Sequence, residues 1–200
     1  MTSQTIELLA KRRTQYALGK SIPLTRDEVE NLIRQAVRLS PSSFNSQSSR
    51  AVILFGEDSE KAWSLIEAEL RRIVPADAFA STEAKMKGFA AGVGTVLFYE
   101  DQDTIRNLQE KFPLYADAFP GFSGNSAGMA QLAVWTALAE VGIGASLQHY
   151  SPIADDVLAQ AFGVPTGWKL IAQMPFGSNE AEIPPKTFIG DAERFITLGK

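Results

Sequence analysis

Cysteine is absent from the 200 residues and histidine occurs once. The first absence excludes disulfides, a thiolate nucleophile and cysteine-held zinc or iron–sulfur clusters. A chain without cysteine suits a reducing compartment, so a cytoplasmic location is expected. The lone His149 cannot build a histidine-rich metal centre, and the acids stand singly or on solvated helix faces, which gives no carboxylate cage. A basic excess is also missing. The 19 Lys and Arg residues against 23 Asp and Glu leave a net charge of −4, which argues against a nucleic-acid partner. No apolar run reaches membrane-spanning length without polar interruption, and Met1–Lys11 has no apolar stretch of the secretory kind.

What is present reads as one domain over residues 1–200, with no linker and no repeat. Ile6 to Ala10 gives a short helix face that delivers Arg12 and Arg13 to its C-terminal end. Thr25 with Glu28 forms a capping box, followed by Val29, Leu32, Ile33, Ala36 and Val37 at helical spacing. That helix ends at Ser40, because the residue before Pro41 is pushed out of the helical region. A strand over 51–55 follows, then a helix capped by Ser59 that carries Trp63, Ile66 and Leu70. Residues 75–92 are in part helical, 95–99 is a second strand and 105–112 a helix. Pro113, Pro120 and Gly121 mark an irregular link. Residues 125–141 form a helix that is apolar nearly all round, hence a core helix or a dimer-interface helix. Residues 145–149 are short and extended, 153–162 is helical and 169–176 is a third strand. The tail from Gly177 is apolar without helical patterning, which suits an arm or edge strand. Strands separated by helices indicate a layered α/β or α+β domain.

Several chemistries can be weighed. Gly124-Asn125-Ser126-Ala127-Gly128 matches G-x-S-x-G, the nucleophile elbow of a serine hydrolase. The segment before it is a poor strand, however, and the only carboxylate between Ser126 and His149 is Glu140, within the helix. Gly92/Gly94 and Gly142/Gly144 are fragments of a dinucleotide fingerprint without its third glycine. In Ser40–Arg50, eight of eleven residues are Ser, Asn or Gln. That loop is either a turn-rich surface segment or a polar ligand cradle. Arg12, Arg13 and Lys186, joined by hydroxyls of Thr14, Ser42 and Ser43, would make an anion site suited to phosphate.

These motifs, taken in order, resemble the FMN-dependent nitroreductase family. They are Arg12-Arg13-Thr14, then Ser40-Pro41-Ser42-Ser43-x-Asn45-x-Gln47 before a strand, then Gly142-Ile143-Gly144-Ala145-Ser146-Leu147-Gln148-His149-Tyr150, and finally Pro185-Lys186. The likeness covers essentially the whole chain and is nearest to the short branch of small bacterial and fungal nitroreductases. It implies an α+β fold with a central mixed, mostly antiparallel sheet flanked by helices. It also implies a homodimer that exchanges a C-terminal arm, about 178–200, and binds FMN at its interface. By position, Arg12, Arg13, Thr14 and Lys186 would hold the phosphate and ribityl chain. Pro41, Ser42, Ser43 and Asn45, with Gln47 in the same loop, would come from the other subunit. Leu147, Gln148 and His149 would run along the isoalloxazine edge. Tyr16 stands where many relatives place a lysine beside the flavin, and Phe188 where many have a second cation. Lys85 or Lys87 is the nearest candidate for the partner of the flavin O4 edge.

The implied activity is reduction of a nitroaromatic or quinone by NADH or NADPH in a ping-pong cycle. The flavin carries the chemistry, so no catalytic side chain is needed. Phe44, Phe122 or Tyr115 would line the acceptor slot. The alternatives are a non-catalytic FMN-binding or regulatory module and, more remotely, a serine hydrolase using Ser126.

Overall fold

Side-chain alternation along one strand sets the architecture. In the computed structural model, which describes residues 3–199, β3 (Gly94–Asp101) is buried along nearly its whole length. Successive residues of a strand face opposite ways. Val96 and Phe98 enter one core with Val29 and Ile33 of α2 (Arg26–Leu39) and Val134 and Leu138 of α6 (Phe119–Glu140). Leu97 and Tyr99 enter another, with Trp63 and Ile66 of α3 (Glu57–Arg71), Met86 and Phe89 of α4 (Phe79–Ala90) and Leu158 of α7 (Asp155–Phe162). Helices therefore cover both faces of one sheet.

The strand order is β1 (Leu18–Gly19), β5 (Trp168–Asn179), β3 and β2 (Ser49–Phe55), with β4 (Gly144–Ala145) also pairing β5. Every strand pair is antiparallel. The parallel contribution is an isolated bridge between Thr14 and Ala145. The expected α+β layering with a mostly antiparallel sheet is what the chain adopts.

Local signals place most elements. The Thr25–Glu28 capping box is complete, with the Glu28 carboxylate accepting the Thr25 N–H at 2.8 Å. α1 (Gln4–Lys11) ends at Arg12, as its charge pattern predicts. Two expectations are corrected. Ser59 does not cap α3, which starts earlier at Glu57; Ser59 is buried and its hydroxyl lies 2.8 Å from that of Thr95. The stretch from Pro113 is not irregular. Pro113–Ala118 is 3-10 helical and runs into α6, which begins at Phe119 with Pro120 in its first turn. A proline there gives up an N–H that no helical carbonyl would receive.

Helix α6 is apolar on both sides but buried on only one. Ala127, Ala130, Val134 and Leu138 face the core, whereas Gly121, Gly124, Gly128, Met129 and Leu132 are exposed. The tail is also uncovered: Phe188, Ile189, Phe195, Ile196 and Leu198 are all exposed large apolar side chains. It holds only a four-residue helix, α8 (Asp191–Arg194). Among the described residues no helix is long and apolar enough to cross a membrane.

Candidate functional site

The predicted site residues fall into two groups at opposite ends of the sheet. Thr14 bridges Ala145, Ala145 pairs Phe176, and Phe176 pairs Gly94 at the start of β3. The serine loop instead leads into Ser49, which pairs Glu100 near the end of β3. Between Gly94 and Glu100 the strand covers about 20 Å at about 3.3 Å per residue. One chain therefore brings Arg12, Arg13, Thr14, Tyr16 and Lys186 to one end, with Gln148 bridged to Gln173 opposite the middle of β3 and Leu147 packed against the core, and sets Pro41, Ser42, Ser43, Asn45 and Gln47 apart at the other.

At the first end, Gln15 is the unseen organiser. It is buried; its N–H donates to the Ala145 carbonyl at 2.9 Å and its side-chain amide to the Ala181 carbonyl at 2.7 Å. The Arg12–Ala17 segment is thereby pinned to β4 and to the start of the tail. Arg13 donates to the Pro184 carbonyl at 2.7 Å, which sets the chain two residues before Lys186 against the arginine pair. Part of Arg13's donor set thus holds the tail. Arg12 stacks on Trp135, its guanidinium carbon 4.3 Å from the ring centre. Burial, and then the like charge of Arg13, holds its pKa below the ordinary arginine value. Two adjacent guanidinium groups that repel each other, with no carboxylate partner among the described residues, favour an anion beside them.

Next to these cations lies a cavity of about 530 Å³ lined by Tyr16, Ala17, Ala84, Lys85, Gly88, Phe89, Gln148 and Tyr150. Its walls are aromatic: Tyr16 and Phe89 are tilted at 6.4 Å, and Phe89 packs on Trp63 at 4.7 Å. Burial, with Tyr16 adding to it, raises the Tyr150 pKa, so its hydroxyl remains a neutral donor. The structure separates the two lysine candidates. Lys87 is paired with Glu83 at 2.8 Å, whereas Lys85 lines the cavity. Gln148 is oriented by its donation to Ser146 Oγ at 3.0 Å. His149 is exposed and does not line the cavity, and nor does Leu147. Phe89 and Gln15 escaped sequence reading, and Tyr150 entered it only as the end of the Gly142–Tyr150 run without a role, because nothing in their local pattern shows what they meet.

At the second end the serine loop contains a 3-10 turn, Ser43–Asn45, with Phe44, Asn45 and Gln47 at φ of 57°, 50° and 49°. Three non-glycine residues in the left-handed region of one short loop mark a backbone held in a shape it would not choose alone. Pro41, Ser42 and Gln47 line a groove of about 570 Å³ together with Arg26, Arg34, Arg38 and Arg50. Of the three acceptor-slot candidates, Phe44 is half-exposed beside Phe112 and Phe119, and neither Phe122 nor Tyr115 lines the Tyr16 cavity.

Ser126 has no elbow geometry. It is buried within α6 and donates to the Phe122 carbonyl one turn back at 3.0 Å. Its hydroxyl oxygen accepts the Ser43 N–H at 3.4 Å, so it serves as a loop contact.

Comparison with known proteins agrees with this geometry. Residues 9–178 match the Nitroreductase family. Two Saccharomyces cerevisiae proteins, HBN1 and the nitroreductase FRM2, are 34% and 32% identical, each alignment covering 95% of this chain and 96% and 95% of theirs. The structure of nitroreductase CinD from Lactococcus lactis with chloramphenicol superposes with a TM-score of 0.90 at 45% identity, over 98% of this chain and 100% of that one. CinD is also known with 4-nitrophenol. A nitroreductase from Desulfitobacterium hafniense with bound FMN shares the fold at a TM-score of 0.73 and 16% identity, over 100% of both chains. With the match spanning most of the chain and relatives alike over nearly their full lengths, the protein belongs to the nitroreductase family of oxidoreductases.

Proposed function

We propose that the protein is an FMN-dependent NAD(P)H oxidoreductase that acts as a homodimer and reduces nitroaromatic or quinone acceptors. The observation that carries this reading is the split of one ligand site between two ends of the sheet. Cations and an aromatic cavity lie at one end, and a strained polar loop at the other. A two-fold pairing that sets the loop of one chain against the cations of its partner completes both sites at once.

The uncovered surfaces support that pairing. The exposed Gly121, Gly124 and Gly128 of α6 leave open space where a side chain would sit, so two such helices can approach closely. The exposed apolar tail needs a surface, and the groove beside β2 offers one: apolar at Ile33, Val37 and Ile53, rimmed by Arg26, Arg34 and Arg38. Asp191 and Glu193 of the tail complement those arginines. Because the tail follows Lys186, a partner loop close to Lys186 brings that groove within its reach.

The donor set fits FMN. Arg12 and Lys186 would hold the phosphate, with Thr14 and the partner loop hydroxyls on the ribityl chain. Tyr16, Phe89 and Tyr150 would flank the flat ring, with Gln148 and Lys85 at its edge. Bound FMN supplies the two-electron transfer. The chain's own part is to position the ring and keep its open face narrow enough for planar molecules. Lys85 and the neutral Tyr150 hydroxyl, both on the cavity wall, would offset negative charge on a reduced ring. No general acid or base is required. The 4-nitrophenol bound by CinD is a nitroaromatic, the chemical class proposed for the acceptor.

The visible spectrum of the purified protein tests the cofactor. Two flavin bands are expected, as is oxidation of NADH or NADPH with menadione or a nitrofuran. Initial rates against both substrates should give parallel double-reciprocal lines. A protein that stays colourless after incubation with FMN would overturn the proposal, and a yellow protein without turnover would make it a binding module.

A further inference from the structure

Glu100 is the only charged side chain among the fully buried described residues, and the cofactor reading gives it no task. It is 1% exposed. No described cation pairs with it; the neighbouring Arg50 pairs with Asp101 instead, at 2.7 Å. Its partners are three hydroxyls. Ser48 and Ser123 donate to Oε2 at 2.5 Å each, and Ser49 donates to Oε1. A buried carboxylate without a cation is costly unless donors replace its water, and these three do so.

Each serine has a single hydroxyl hydrogen. Ser48, Ser49 and Ser123 have therefore committed theirs to Glu100 and have none to donate to a ligand. What they do instead is join segments. Ser48 and Ser49 end the serine loop, Ser123 lies in α6 and Glu100 in β3. The loop they anchor carries the left-handed Phe44, Asn45 and Gln47. Such conformations persist only where the surroundings over-determine them. Above the strained turn, the Gln47 N–H donates to Ser42 Oγ at 2.9 Å. Below it, two side-chain anchors follow: Arg50, whose guanidinium donates to the Gln47 carbonyl, and the Glu100 cluster, the one that reaches α6 through a buried charge; Ser126 of α6 adds its contact to the Ser43 N–H.

We infer that Glu100 is a positioning residue: its buried carboxylate ties Ser48 and Ser49 to Ser123 of α6 and so holds the strained 42–47 loop in the shape that receives the partner subunit's FMN. The inference rests on the cofactor reading proposed above. In an amide, one oxygen becomes a donor, so Glu100→Gln keeps the volume but cannot accept all three hydroxyls.

The test pairs two measurements on the full-length protein: hydrogen exchange resolved by segment, and FMN affinity from flavin fluorescence. Glu100→Gln should speed exchange of residues 42–49 at least tenfold, leave α3 unchanged, and weaken FMN binding at least tenfold. Ser123→Ala, a milder change for the case in which Glu100→Gln does not fold, should move both in the same direction by about threefold. Faster loop exchange with unchanged FMN affinity would overturn the positioning role, as would weaker binding with an unchanged loop. If the wild-type protein binds no FMN, the cofactor reading fails and the positioning role falls with it; the exchange data then report only whether Glu100 locks the loop.

Discussion

At the Arg12 end of the sheet the polar groups are long, charged and partly solvated: two guanidinium groups, Lys85 and an exposed Lys186. At the other end the groups around Glu100 are short, buried and already joined to one another, while the arginines there line the groove outside that cluster. The first end keeps its charges available: Lys85 and Lys186 are exposed and lose little hydration, and Arg12 gives up part of its own in stacking on Trp135. The second spends its hydrogen bonds on shape, and its backbone carries the strain. A site assembled from both would draw affinity mainly from one end and preorganisation from the other. Mutations should therefore separate ligand binding from stability according to the end they strike.

The largest effect should come from Arg12→Ala combined with Lys186→Ala. Losing two charge-assisted contacts, each worth about 1.5–3 kcal/mol, should weaken FMN binding by about 100-fold or more. The melting temperature of the flavin-free protein should fall only as far as loss of the Arg12–Trp135 stack, worth about 0.5–1 kcal/mol, takes it. Ultrafiltration of flavin and a thermal melt on the same sample check both halves; a large melt shift would erase the contrast between the ends.

Asp101→Asn strikes the other end. Asp101 caps α5 (Gln102–Lys111) through the Asp103 N–H at 3.0 Å and the Thr104 hydroxyl at 3.1 Å, and it pairs with Arg50. Burial alone would raise its pKa, but the Thr104 and Asp103 hydrogen bonds and Arg50 together bring it below the usual carboxylate value. Its stabilising effect is therefore present above the unfolded-state pKa and is lost as pH falls through the lower folded value. The variant should lose about 1–2 kcal/mol at neutral pH, read by urea unfolding, and show a shallower acid transition. Thr25→Ala removes a helix cap whose hydroxyl lines neither the cavity nor the groove; it should cost about 1 kcal/mol and leave FMN affinity unchanged, which makes it the control for the comparison.

The smallest effect should be that of Tyr99→Phe. The Tyr99 hydroxyl is buried without a partner among the described residues, so its removal should cost nothing at neutral pH. Burial, and then Asp155, pushes its pKa up to about 12. A raised pKa makes the fold weaken as pH climbs from the ordinary tyrosine value toward that level. The phenylalanine variant should lack this alkaline decline in stability.

Much of this was legible from residues that act through near neighbours. The Thr25–Glu28 box, the break at Pro41 and the run of Val96 to Tyr99 each carry their own instruction. Ser59 misled because serine before a helix reads as a cap, whereas its partner Thr95 lies far away in sequence. Pro120 misled because a proline by itself marks either a break or a first helical turn, and only the 3-10 segment before it decides for the turn. In the site, the arginine pair and serine loop stood out as dense polar clusters. Gln15, Phe89 and Tyr150 did not, since their roles depend on which elements the sheet brings together. The separation of Lys85 from Lys87 required the Glu83 contact. Which end of the sheet each motif occupies is a property of strand register, and register is set by pairing at long range.

The described structure pairs β2 on one side only, leaving one edge of Ser49–Phe55 open, with Arg50 its only charge. An open, apolar, β-branched edge invites pairing with any unfinished chain nearby, and the natural guards are charge, proline or a cover. If the exchanged tail is that cover, the yield of refolding depends on concentration in both directions. Dilute chains wait with the edge bare and are open to proteases, while crowded chains stack edge to edge before tails arrive. Such a protein recovers best at intermediate concentration, and a tail-less form precipitates instead of persisting as a quiet monomer.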